Sequence, residues 1–126
     1  MTPDFLSIAP DQAIIKEEFV EVLTLDDFYS SKDIDAKRIF LKIDVQGFEM
    51  NVLRGAETLL NKNIVGLKIE TSIVKQYVDE VDIFDVLPFL LERDFAVHSI
   101  VPGWRNPITS ELLQIDIYLF KRSLMN

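Results

Sequence analysis

The stretch Arg38–Ala56, RIFLKIDVQGFEMNVLRGA, decides the fold, because a strand, a turn and a helix follow one another in it with legible apolar faces. From Ile39 to Val45, apolar residues occupy both alternating sets of positions, interrupted at Lys42 and Asp44. That is the pattern of an interior strand covered on both faces, as in parallel sheets. Gln46-Gly47 supplies a turn, after which Phe48, Val52, Leu53, Ala56, Leu59 and Leu60 recur at helical spacing and form one apolar face. Gly55, a poor helix former, is expected to let this helix lie close to the sheet. A second buried strand, Ile64–Glu70, follows directly. Strand, helix and strand of this length make a right-handed βαβ crossover, which sets Asp44 and Glu70 at the same carboxyl edge of neighbouring parallel strands. Open α/β sheets bind their ligands at that edge.

Working outward, Glu18–Leu23 alternates well enough to predict a short strand, and Thr24 is placed to cap a helix that carries Asp26 and Asp27 at its positive end. Residues 1–18 read as an irregular lead-in with a short element near Ala13–Ile15, and Tyr29–Lys37 as a loop. Downstream, Thr71–Val81 is a turn of helix or an irregular segment. Asp82 or Asp85 can start the next helix, which presents Phe84, Leu87, Leu90 and Leu91 on one face; a start close to Asp85 is expected, so that Pro88 falls near its first turn. Ala96–Val101 and Leu113–Lys121 read as two final strands, an antiparallel closing pair, joined by a loop holding Trp104 and Arg105.

Composition narrows the classes of function. The 126 residues support one domain, and 48% hydrophobic with 27% charged residues is ordinary for a globular chain. A net charge of −8 and a pI near 4.5 argue against nucleic acid as a partner, because phosphate contacts require clustered Lys and Arg. Without cysteine there is neither a disulfide framework nor a thiolate metal site. No apolar run reaches the length of a membrane span, and the amino terminus lacks the pattern of a signal peptide, which predicts a cytoplasmic protein.

The run LKIDVQGFEMNVLRGAETLL (Leu41–Leu60), preceded by VLTLDDF (Val22–Phe28) and followed by GLKIET (Gly66–Thr71), resembles the carboxy-terminal half of FkbM-type S-adenosylmethionine-dependent methyltransferases. The family's pattern of Thr-Leu-Asp-Asp, then Lys-Ile-Asp-Val-Glu/Gln-Gly-x-Glu, then Leu-x-Gly-Ala is met almost throughout. The resemblance implies the carboxy-terminal half only of a class I methyltransferase (Rossmann-like) α/β sheet. Its strands would be parallel with helices on the faces and an antiparallel last strand. Residues 1–18 would be the lead-in, and 19–126 a partial methyltransferase domain. The implied reaction moves a methyl group from S-adenosylmethionine to a hydroxyl of a sugar, glycolipid or polyketide. In this class the cofactor lies over a first strand and a Gly-rich turn, and Gly47, Gly55, Gly66 and Gly103 form no such turn. An amino-terminal half is therefore expected to be missing, and the exposed sheet edge to favour a homo-oligomer. The alternatives are a non-catalytic α/β interaction domain that associates through that edge, and an α/β module whose acidic edge binds a small polar ligand.

The candidate site residues each carry a functional and a plainer role. Asp44 ends a buried strand, where an acid is costly unless bonded; it serves chemistry or accepts from the amides of the following turn. By resemblance it belongs to the signature block, catalytic and cofactor-binding, with Gln46 and Gly47 beside it as cofactor contacts. Glu70 is the second catalytic candidate, or a carboxylate paired with Lys42 or Lys68. Glu49 partners the helix dipole or, by resemblance, binds substrate. His98, the only histidine, is a packed strand residue or a substrate-side base. Trp104 covers the acceptor or anchors its own loop. The carboxylate oxygens of Asp44, Glu49 and Glu70 suit Mg²⁺, but their spacing is no metal signature and no metal is expected.

Overall fold

Strand β1 (Ile39–Ile43) runs parallel to β2 (Ile64–Ser72), with Leu41 beside Leu67 and Ile43 beside Ile69. Both belong to a computed structural model that describes residues 2–124. Two further strands, β3 (Phe95–Pro102) and β4 (Gln114–Lys121), complete one sheet in the order β1-β2-β4-β3. The last strand is antiparallel to both of its neighbours and inserted between them, so β3 points the same way as β2. The expected antiparallel closing pair is present.

The helices are α1 (Pro3–Ile8), α2 (Leu25–Ser31), α3 (Glu49–Arg54), α4 (Glu57–Lys62) and α5 (Ile83–Leu91). Leu53 of α3, Leu60 of α4, and Val86 and Leu90 of α5 pack with Ile43, Leu67, Ile69, Ile117 and Leu119 into one core on one face of the sheet. Removing this much apolar surface from water is the main stabilising contribution.

The other face is open, which corrects the reading of β1 as covered on both sides. Phe40 and Lys42 are exposed there. Register aligns Phe40, Gly66 and Phe120 across three strands. A Cβ on Gly66 would come within 2.5 Å of the Phe120 ring, which lies over the glycine and tilts against Phe40 with centroids 5.9 Å apart. One row on, Lys68 pairs with Asp116 at 3.3 Å and lies 5.6 Å from the centre of the Tyr118 ring, so its partner is not Glu70.

Three further expectations change. The strand expected at Glu18–Leu23 does not form: a strand needs a neighbour to pair with, and this segment lies out in solvent with Phe19 fully exposed. The lead-in is not irregular throughout, because Thr2 caps α1 by accepting from Phe5 N–H and Pro3 occupies a first-turn position; no element forms at Ala13–Ile15. Helix α5 starts at Ile83, with Asp82 accepting from Phe84 N–H, and so contains Pro88 in its interior. The carbonyl that Pro88 leaves without a helical donor is that of Phe84, at an exposed position where water can serve it.

The single helix expected after Gly47 is two. Gly55 ends α3, and its carbonyl accepts from Asp26 N–H at 2.9 Å, while Thr24 sits against its Cα where a side chain would have to go. The Asp26 carboxylate then accepts from Thr58 N–H (2.9 Å) and Leu59 N–H (3.0 Å). Ala56, at the start of α4, has no side-chain acceptor, so Asp26 caps α4 from another helix. Thr24 caps α2 as expected, through Asp27 N–H at 3.0 Å. Replacing Asp26→Ala is expected to destabilise the chain by about 1–2 kcal/mol, read as a lower midpoint in urea denaturation, with Asp26→Asn costing less.

Candidate functional site

Because Ile43 stands beside Ile69, the next residues along the two strands, Asp44 and Glu70, are neighbours at the carboxyl edge. Glu70 is also registered with Asp116 on β4, so three carboxylates lie in a row across β1, β2 and β4. The strand does not end at Glu70 as expected but continues through Ser72. Burial raises the Glu70 pKa above the ordinary carboxylate value; repulsion from Asp44, Asp116 and Glu49 adds to it, as does a hydrogen bond with Asp44.

After β1 the backbone enters the left-handed region at Gln46 (φ 52°) and Gly47 (φ 101°). Gly47 suits that angle, which L side chains rarely adopt, and a Cβ there would lie tightly against the Tyr77 side chain, at 3.3 Å. Tyr77 in turn donates from its hydroxyl to Gln46 Oε1 at 3.3 Å. Glu49 is buried in the first turn of α3, and both of its oxygens accept from Gly47 N–H at 3.1 Å. Burial raises its pKa, the Gly47 bond pulls the other way, and repulsion from Glu80 raises it further.

The segment after β2 is held by a residue that sequence reasoning missed. Buried Glu80 accepts from Ser72 Oγ, from Gln76 N–H at 2.5 Å and from Tyr77 N–H at 3.1 Å. Helix α1 then lies across this edge. Thr2 N–H donates to the Gln76 carbonyl at 2.8 Å, and buried Phe5 packs on Tyr77 (centroids 5.8 Å) and edge-on to Trp104 (5.5 Å). A cavity of about 380 Å³ results, lined by Phe5, Ile8, Gln46, Glu70, Gln76, Tyr77, Trp104 and Gln114 among others. Buried Gln76 has an amide nitrogen with no hydrogen-bond partner.

Of the residues expected at the site, Gln46, Glu70 and Trp104 line this cavity, with Asp44 beside Glu70. Gly47 stands behind Tyr77 and shapes the turn. Glu49 is buried and committed to the Gly47 amide, and does not line the cavity. His98 is exposed on β3 and meets Phe120 edge-on at 5.0 Å, lining a different hollow with Arg38 and Val65. Phe120 is registered with Gly66, four residues before Glu70, which puts His98 about 13 Å along the sheet from the carboxylate row. Phe5, Gln76, Tyr77, Glu80 and Asp116 were not anticipated. The Thr2-Pro3-Asp4 start signal was the available clue to α1. Among the described residues no group of three or more ligand-type side chains is arranged to hold a metal ion, and no helix is long and apolar enough to cross a membrane.

The raised carboxylates fix the sign of one pH effect. Between the ordinary glutamate pKa and the raised folded values, the folded chain binds more protons than the unfolded chain. Stability therefore falls as pH rises through that window. Glu70→Gln is expected to fall less than the wild type in urea midpoint between pH 4.5 and pH 7. Parallel pH curves for the two proteins would refute the role given to burial and to the neighbouring acids.

A family model described as the Methyltransferase FkbM domain matches residues 4–97, from α1 into the start of β3. No curated protein and no solved structure matches the chain. The family match takes in the blocks TLDD, KIDVQGFE and LRGA together with β2, and covers well over half of the 126 residues, so the chain belongs to the FkbM methyltransferase domain family.

Proposed function

We propose that the chain is the acceptor-binding part of an S-adenosylmethionine-dependent O-methyltransferase of a class I, Rossmann-like fold, and that its acceptor is a sugar hydroxyl. The observation that carries this reading is the pairing of Asp44 with Glu70 on adjacent parallel strands beside the cavity under α1. The order β1-β2-β4-β3 with an inserted antiparallel last strand agrees with the carboxy-terminal half of such a sheet. Phe5, Tyr77 and Trp104 offer flat apolar walls, while Gln46, Gln76, Gln114 and Glu70 offer hydrogen bonds, a combination that suits a ring bearing hydroxyls better than an apolar chain. The cavity lining includes no Lys or Arg, which favours a neutral or cationic ligand over a phosphorylated one.

S-adenosylmethionine, when bound, supplies a methyl group on a positively charged sulfur, and an acidic edge fits that charge. The residues present do not fit the rest of the cofactor: none of the four glycines belongs to a Gly-rich turn, and the space at Gly47 is taken by Tyr77. The chain's own contribution is to bind the acceptor, to orient its hydroxyl through Asp44 and to take its proton at a Glu70 carboxylate oxygen. A raised pKa makes Glu70 a better base than an ordinary carboxylate near neutral pH. Correct placement of the hydroxyl supplies much of the remaining rate.

In a protein that joins this chain to a complete cofactor cradle, Glu70→Gln is expected to lower kcat by roughly 10²–10⁴ with little change in KM. Unchanged turnover would remove Glu70 as the base. The 126-residue chain itself, titrated calorimetrically with S-adenosylmethionine, is expected to show no saturable heat. Saturation would mean that the chain holds the cofactor unaided and would overturn its assignment to the acceptor side.

A further inference from the structure

Beside the cavity under α1 lies a second hollow of about 410 Å³, whose lining includes Asp4, Lys75, Asn106 and Glu111 together with Val74 and Leu113. It shares Phe5, Ile8 and Gln76 with the first cavity, so one helix and one glutamine wall both. Gln76 is only 3% exposed, and its side-chain amide nitrogen has no hydrogen-bond partner. Nearly every buried donor in a folded chain is paired, because leaving one unpaired is destabilising. We propose that the second hollow is a subsite for the adjoining ring of an oligosaccharide acceptor, and that Gln76 donates its amide hydrogen to the oxygen linking the two rings. The proposal rests on the reading of the first cavity as the site of a sugar hydroxyl, and extends the acceptor from one ring to two.

The backbone of Gln76 is held at both of its polar groups. Its N–H donates to buried Glu80 at 2.5 Å, and its carbonyl accepts from Thr2 N–H at 2.8 Å. A donor carried on a backbone fixed in this way is organised before the ligand arrives, which lowers the cost of ordering it on binding. Its position decides what it meets. At the boundary of two hollows, the ligand atom within reach is the one that joins the parts filling them. In an oligosaccharide that atom is a glycosidic oxygen, which carries no hydrogen and can only accept.

The second hollow has the chemistry of a sugar site rather than that of a lipid or phosphate site. Asn106 uses its side-chain oxygen for the amides of Ile108 and Thr109, which leaves its NH2 group to donate elsewhere. Asp4 and Glu111 accept, Lys75 donates, and ring hydroxyls answer both roles. Ile8, Val74 and Leu113 offer apolar surface to the face of a ring. A lipid tail in the same place would take the charged groups out of water without replacing their hydrogen bonds. A phosphate would meet two acids and one lysine.

The test is a nuclear magnetic resonance titration of the full 126-residue chain with glucose and with its α- and β-linked dimers, maltose and cellobiose. At least one dimer is expected to bind roughly tenfold or more tighter than glucose. It should shift the Gln76 side-chain amide together with backbone amides of both hollows, Gln46 for the first and Asn106 for the second. In Gln76→Met, and in Val74→Trp, which fills the second hollow, the ratio of dimer to glucose affinity should fall to about one. The urea midpoint of Gln76→Met should not drop, because the substitution removes an unpaired buried donor. Equal affinity for glucose and both dimers, with shifts confined to the first cavity, would overturn the subsite and leave the acceptor reading standing. A dimer preference that survives Gln76→Met would overturn the role given to Gln76. Absence of any shift in either hollow would overturn the acceptor reading and the subsite with it.

Discussion

The parallel pairing of β1 with β2, in which Ile43 stands beside Ile69, is the constraint on which the remaining arrangement depends. Both side chains point into the layer made by α3, α4 and α5, and a slip of one residue would turn each of them to the open face. The same register brings Asp44 beside Glu70, so the acid pair at the carboxyl edge is a by-product of core packing. Holding that register requires the helices to arrive at the right depth. Asp26 sees to it by binding the end of α3 and the start of α4 together, through backbone groups that neither helix can satisfy alone.

A row of carboxylates is an unusual thing to maintain in a small acidic chain. Asp44, Glu70 and Asp116 repel one another, and Glu49 and Glu80 add two buried acids nearby. The two groups are treated differently. Glu49 and Glu80 are tied to backbone amides, at Gly47 and at Gln76 and Tyr77, so their charge is spread over fixed dipoles and they shape the turns that bound the cavity. In the row itself, Asp116 has Lys68, whereas among the described residues neither Asp44 nor Glu70 has an ion pair, and burial together with the neighbouring acids raises the pKa of Glu70.

Much of this was legible in the sequence, and the failures have physical causes. The strand-turn-helix of Ile39–Leu60, the second strand and the antiparallel closing pair follow from periodicity, and the Asp44–Glu70 pairing follows from them. Periodicity could not tell that the helix breaks at Gly55, because the cap on α4 comes from Asp26, some thirty positions earlier in the chain. It could not tell that one sheet face is open either: Phe40 looks like a buried residue in any local window and is half-covered by Phe120, from the last strand. The site was half visible. Acids at strand ends announce themselves, but Phe5 and Tyr77 reach the cavity only through the docking of α1, a contact between distant parts of the chain.

The Phe120 ring fills the space over Gly66 that a side chain there would need. Neither position is free to vary alone. A side chain at 66 demands a small residue at 120, and loss of the ring at 120 leaves the glycine backbone and Phe40 bare to water. Across the sequences of relatives, the two positions should change in step, large for small, and that covariation would record the pairing of the second strand with the last even where the rest of the open face has drifted.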